Sequence, residues 1–224
     1  MKKKYTYLLK RILYLIYGEK FYKRLNYDWK KFPSRTEIIK NIISHKKYST
    51  YLEIGCDQDE NFSKIDLKEK IGVDPKSGGT HRMTSDTFFK SNKKKFDFIY
   101  VDGLHTYEQA IKDIKNALVF LNENGIILLH DCLPKKIWNQ IVPRIYGHWN
   151  GDVWKAIVET RTWNHVDTVT IIADHGLGLI KKNKNSNILM DKIKNFKKLK
   201  YKDYYTKHQK YMNPINFEDL HKVI

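Results

Sequence analysis

The run Tyr51-Leu52-Glu53-Ile54-Gly55-Cys56, with Asp74 closing Ile71-Gly72-Val73-Asp74 nineteen residues after Gly55, narrows the folds open to this chain. The first run has the apolar content of a buried strand and ends in an acid and a glycine. The second reads as the next strand and ends in a carboxylate. A strand, a glycine turn and an acid about 20 residues on is how an open α/β sheet grips an adenosine. Glycine lets backbone approach the ligand, and the acid accepts hydrogen bonds from ribose hydroxyls. A nucleoside cofactor is therefore the first expectation.

Further strand candidates follow at Phe96–Val101 and Gly125–His130. A helix between them is marked by Thr106 as N-cap, by Gln109 three residues on to complete a capping box, and by an apolar stripe through Ala110, Ile111, Ile114, Ala117, Leu118 and Leu121. Short apolar strands alternating with amphipathic helices predict an α/β fold: a Rossmann-like, doubly wound, mostly parallel sheet. Val166–Ala173 and Leu177–Ile180, joined through Asp174-His175-Gly176, predict an antiparallel hairpin at its C-terminal end. Pro134 to Ile145 and Val153–Thr160 read as helices, and His81–Thr84 as a short strand.

This pattern divides the 224 residues into a basic amphipathic extension at 1–34, a central domain at 35–182 and a Lys/Tyr-rich extension at 183–224, expected to be a partly ordered tail. In the first extension Tyr5, Leu8, Leu9, Ile12 and Ile16 fall at helical spacing among Lys2, Lys3, Lys4, Lys10 and Arg11. Such a helix can lie on a membrane surface, or dock on its own domain or a twin subunit, so peripheral membrane contact and a homodimer both stay open. After Phe32-Pro33, Ser34 can cap a helix that buries Ile38, Ile39, Ile42 and Ile43.

The formal charge of +17, from 42 basic and 25 acidic residues, attracts anions. Compositional bias toward Lys, Asn, Ile and Tyr explains it equally well. Two cysteines, Cys56 and Cys132, make no disulfide framework, which suits a reducing, cytoplasmic setting, with contact at the inner membrane face as an extension of the amphipathic reading. No stretch is long and apolar enough to predict a membrane span. The loop after the first strand lacks Gly-x-Gly-x-x-Gly, and no P-loop is present, which argues against a nicotinamide dehydrogenase and a P-loop ATPase.

With the Glu53-x-Gly55 turn, the acid Asp74 and the closing hairpin in place, residues 35–182 resemble the class I S-adenosylmethionine-dependent methyltransferases. Two blocks, Tyr100-Val101-Asp102-Gly103-Leu104-His105-Thr106-Tyr107-Glu108 and Asn124-Gly125-Ile126-Ile127-Leu128-Leu129-His130-Asp131, are similar to the macrocin-type group of sugar and glycan O-methyltransferases. The resemblance implies S-adenosylmethionine as cofactor, with Glu53, Gly55 and Cys56 at its methionine end, Asp74 on the ribose, Ser85 and Asp86 beside the adenine, and Asp102 near its amine. It implies a sugar hydroxyl or other small molecule as acceptor and His105 as general base. It also implies Mg²⁺ or another divalent ion at Asp102 and Asp131. Two departures stand out. Gln58, Asp59 and Glu60 occupy the stretch where relatives often carry glycines, and Cys132 stands where some carry a second acid.

The residues allow plainer roles as well. Asp102 could cap the next helix, Asp131 bond loop amides, and His105 bond backbone at a helix start. His130 reads as part of packing or a loop network, and the Asp174-His175 turn as structural. Trp138, Trp149 and Trp163 could stack on sugar faces, while Trp154 has the spacing of core. A non-catalytic methyltransferase-fold scaffold, or a membrane-associated partner, remains a competing reading. A nucleic-acid methyltransferase fits the charge but lacks an Asn/Asp-Pro-Pro-aromatic motif and an RNA-binding module.

Overall fold

The computed structural model describes residues 2–145 and 147–224, with side chains from residue 6 onward, so the Tyr5, Lys2, Lys3 and Lys4 side chains lie outside the described part. Among the described residues the strands are β1 (Thr50–Ile54), β2 (Glu69–Val73), β3 (Phe96–Val101), β4 (Leu121–Leu129), β5 (Asp167–Ile171), β6 (Leu177–Lys181) and β7 (Pro214–Ile215). They form one sheet in the order β2-β1-β3-β4-β6-β5-β7. Strands β2, β1, β3 and β4 are mutually parallel, and β6 is antiparallel to both β4 and β5. The chain thus has the Rossmann-like α/β architecture with a closing antiparallel hairpin.

Period-two alternation sends the central strands' side chains to two cores. Leu52, Ile54, Ile99, Val101, Ile127 and Leu129 face α4 (Tyr107–Phe120) and α6 (Trp154–Thr160), where Trp154 is fully buried. Tyr51, Phe98, Tyr100, Ile126 and Leu128 face the other side, under α2 (Arg35–Lys46). Burying each such apolar side chain is worth about 1.5–3 kcal/mol. Helix α2 begins as its sequence predicts: Ser34 and Glu37 form a reciprocal capping box, and Ile38, Ile39, Ile42 and Ile43 are its buried residues. Thr106 caps α4 through the Gln109 amide, but the Gln109 side chain does not close a box. It turns instead to Asp113, Ser85 and Asp86.

Several local expectations change. The Pro134 to Ile145 stretch holds only the short α5 (Ile137–Gln140), because the backbone turns extended at Ile141. The strand expected at His81–Thr84 is a single bridge between Val73 and His81, followed by α3 (Ser85–Ser91). The expected tail is folded. It contributes α7 (Tyr201–Thr206), α8 (His208–Met212) and β7, and it buries Tyr201, Tyr204, Tyr211 and Met212.

The N-terminal segment meets that C-terminal layer. Helix α1 (Lys2–Tyr17) rests on Trp138, with Tyr14 edge-on to the ring and the Arg11 guanidinium 4.4 Å above it. The Glu19 carboxylate accepts from the Tyr201 and Lys202 amides at 2.8 and 2.6 Å, and Tyr27 bonds His208. No helix among the described residues is long and apolar enough to cross a membrane.

Candidate active site

Parallel strands bring their carboxyl ends to one rim, and here the rim carries the polar residues. Glu53 stands one residue before the end of β1, and its carboxylate accepts from the Tyr51 hydroxyl at 2.6 Å and from Asn61 Nδ2 at 2.8 Å. Burial outweighs those bonds and raises the Glu53 pKa to about 7. Gly55 follows at φ +86°, and a Cβ there would overlap the Asp102 carbonyl, so the turn and the end of β3 touch backbone to backbone. The loop beyond takes left-handed φ at Asp57 and Asp59, side chains that tolerate that region. These two aspartates give the loop the turns that glycines would otherwise supply. The Cys56 thiol is buried beside Gly72 and Gly79 and its pKa is raised, chiefly by burial.

Asp74 ends β2. Burial opposes its ionisation, but amides of Ser77, Lys76 and Asp57 hold its pKa below the ordinary value. Its carboxylate accepts from those three amides at the strand tip. Ser85 and Asp86 open α3 and face α4: Gln109 Nε2 donates to Ser85 Oγ at 3.2 Å and to Asp86 at 3.3 Å, and Lys112 Nζ meets Asp86 at 2.5 Å.

The dense part of the rim lies after β3 and β4. His105 Nε2 is 3.3 Å from Asp102 Oδ1, and its Nδ1 is 3.1 Å from Asp131 Oδ2 and 3.0 Å from the Trp149 carbonyl. Asp102 also accepts from Tyr100 at 3.1 Å and faces His130 Nδ1 at 3.1 Å. His130 turns Nε2 to Asp174, 3.0 Å from its carbonyl oxygen and 3.5 Å from its carboxylate. Asp174 in turn accepts from the Arg35 amide at the start of α2, at 2.7 Å, with the Arg35 guanidinium 3.6 Å away.

Electrostatics follow from this alternation of acids and imidazoles. Burial disfavours charge on His130, yet Asp102 and Asp131 outweigh it and its pKa lies well above the ordinary value. The same balance, with Asp102 and Asp131 prevailing, raises His105. Asp102 is held well below its ordinary value by His130 and His105 against burial, whereas burial prevails at Asp131 and raises it. Asp102, His105 and Asp131 each offer a ligand atom, all within 4.8 Å of one another, so this donor set fits a divalent ion.

Three further groups approach the rim from loops. Cys132 and Leu133 donate backbone bonds to the Gly176 and His175 carbonyls at 3.0 and 2.8 Å, which seats the hairpin tip beside Asp131. Buried Asn139 of α5 donates to the His148 carbonyl at 2.9 Å and its own carbonyl accepts from Asn150 and Gly151, which seats the 148–151 loop. Trp149 then stacks on His105 at 5.3 Å, and Asn150 Nδ2 donates to Asp131 Oδ1 at 2.8 Å. Sequence reasoning missed Arg35, His148 and Asn150, and read Asp174 and His175 as a structural turn. The structure places all five on this cluster. The pre-strand position of Asp174-His175-Gly176 was the available signal, since hairpin tips beside a parallel sheet can reach its carboxyl rim.

Residues 47–132 match a family model described as a methyltransferase domain. The structure is similar to the SAH-bound methyltransferase PaMTH1 of Podospora anserina, at 18% identity and TM-score 0.54, over 69% of this chain and 81% of that one. The fold is that of the class I methyltransferases. Cofactor-bound Rv0187 from MTB is another such methyltransferase-fold neighbour, at 11% identity and TM-score 0.53, over 79% and 97% of the two chains. A Klebsiella pneumoniae protein provisionally named an O-methyltransferase aligns at 9% identity and TM-score 0.51, over 82% and 100%. No curated protein matches the sequence. In a methyltransferase fold the rim just described, at the carboxyl ends of β1, β2, β3 and β4, is the ligand-binding edge.

Proposed function

We propose that this protein is an S-adenosylmethionine-dependent O-methyltransferase whose acceptor is a sugar hydroxyl or another small molecule. The observation that carries the reading is His105, held by Asp102 and Asp131 at the rim reached by the Gly55 turn. S-adenosylmethionine, when bound, supplies an electrophilic methyl group: its S–C bond breaks as the O–C bond to the acceptor forms, and the acceptor's proton must leave. His105 takes that proton, and Asp102 steadies the imidazolium, as paired carboxylates do for catalytic histidines. Asp74 accepts from the ribose hydroxyls, Gly55 lets backbone close on the methionine end, and Ser85 and Asp86 stand toward the adenine. Trp149, already stacked on His105, offers an aromatic face to a sugar ring. A divalent ion held by Asp102 and Asp131 would polarise the acceptor oxygen.

The competing reading is a non-catalytic scaffold on the same fold. It draws on Asp74, whose carboxylate is already engaged by three loop amides. Calorimetric titration with S-adenosylmethionine and its demethylated product separates the two. Micromolar binding that Asp74→Ala abolishes supports the enzyme; no binding to the intact, folded chain removes it and leaves the scaffold.

A further inference from the structure

Beyond the Asp102–Asp131 pair, a second donor set stands on the outer side of Asp131. We propose that Asp131, His148 and His175 form a transition-metal site that holds the acceptor hydroxyl, resting on the methyltransferase reading for its role. One ligand atom from each lies within 4.8 Å of the others, and His148 Nε2 is already 3.8 Å from Asp131 Oδ1. The two imidazoles stack with centroids 3.9 Å apart at 28°, an arrangement two imidazolium cations would oppose.

The three donors come from three elements, each braced from behind. Asp131 follows β4 and is oriented by Asn150, His148 sits in the loop pinned by Asn139, and His175 tops the hairpin that Leu133 anchors. Asp174 and His175 both take left-handed φ, 36° and 64°, an unfavourable pair for non-glycine residues that places the His175 ring here. His148 is exposed, which gives an ion an entry path. Two imidazole nitrogens and one carboxylate select borderline ions such as Zn²⁺, Co²⁺ or Fe²⁺ over Mg²⁺, and three protein ligands leave positions open for a hydroxyl. The arrangement divides the labour. Asp131 Oδ1 faces His148 while Oδ2 faces His105, so the two donor sets use different oxygens of one carboxylate.

The test uses the untagged full chain, metal-free and without cofactor, titrated with Co²⁺ while its visible absorption and bound cobalt are followed. One ion per chain with a histidine-type spectrum is expected. His148→Ala and His175→Ala should each weaken binding by about tenfold or more, and Asp102→Asn should leave it unchanged. His148 is surface-exposed, so its variant keeps the fold, and circular dichroism checks it. Absent binding, or binding lost in Asp102→Asn but retained in both histidine variants, overturns the site. Neither result depends on methyl transfer.

Independently, we infer that the outward face of α1 docks on an anionic lipid surface. Tyr14 and Arg11 hold one side of this helix to Trp138. The opposite side presents Leu8, Leu9, Ile12, Leu13 and Ile16, each between 45% and 58% exposed. A second copy carrying the same +17 charge is repelled, whereas an anionic headgroup layer is attracted by it. Co-sedimentation with phosphatidylglycerol-containing vesicles, weakening as salt rises and lost in Leu9→Glu/Ile16→Glu, is the expected result. Equal binding of the variant, no binding of the native chain, or a dimer that the same substitutions dissociate would overturn it.

Discussion

His130 Nδ1 lies 3.1 Å from Asp102 Oδ1 at the centre of the rim, with the imidazole buried and the carboxylate largely so. Removing one partner of a buried ion pair costs about 3–5 kcal/mol, because the other charge stays buried alone. His130→Ala should therefore destabilise the fold by about that amount, more than His148→Ala at the exposed edge. Chemical denaturation of the two variants gives the comparison. The sign with pH also follows. A histidine raised in the folded state stabilises fully below its ordinary value, and that contribution fades as pH rises through the higher folded value. Equal stability of His130→Ala and the native chain at neutral pH would refute the pair's charge.

Glu53 acts in the same direction, at lower pH. Its carboxyl titrates near 7 when folded against an ordinary 4.5, so the folded chain holds a proton the unfolded chain has lost. Stability should fall as pH rises between 4.5 and about 7, by roughly 1–3 kcal/mol. Glu53→Gln should flatten that slope, read from denaturation midpoints across the interval. A slope unchanged by the substitution would assign the dependence elsewhere.

For the proposed methyl transfer, His105 must be neutral to accept a proton, yet Asp102 and Asp131 raise its pKa against burial. The rate should climb with pH through a limb centred above 6.5, the ordinary histidine value. Asp131→Asn should move that limb downward. A pH–rate profile with the same limb in both proteins would exclude His105 as the base.

Gly151 sits at φ +63°, and a Cβ on it would overlap the His105 carbonyl. Gly151→Ala should displace the base while sparing both cores. A displacement of this order costs about tenfold to a hundredfold in turnover, with a smaller change in melting temperature. Turnover unaffected in a folded Gly151→Ala protein would show that the loop does not position His105.

The sheet was legible because β1, β3 and β4 write their two-sided burial as plain alternation: Leu52 against Tyr51, Ile99 against Phe98, Ile127 against Ile126. Strand ends then put Glu53, Asp74, Asp102 and Asp131 on one rim. His148 and His175 were not legible, since their meeting depends on left-handed backbone at Asp174 and His175 and on Asn139 reaching a distant loop, and neither has a period. The C-terminal layer hid for another reason. Its helices are six and five residues long, too short for a stripe, and its buried tyrosines look like surface residues until Glu19 and Tyr27 cover them.

The bond from Glu19 to the Tyr201 amide joins residues 182 positions apart. Closing so long a loop is entropically unfavourable until the intervening sheet has drawn its ends together. The strap at Glu19 and the C-terminal layer at Tyr201 therefore depend on each other through the sheet between them, and a change that loosens either end loosens both.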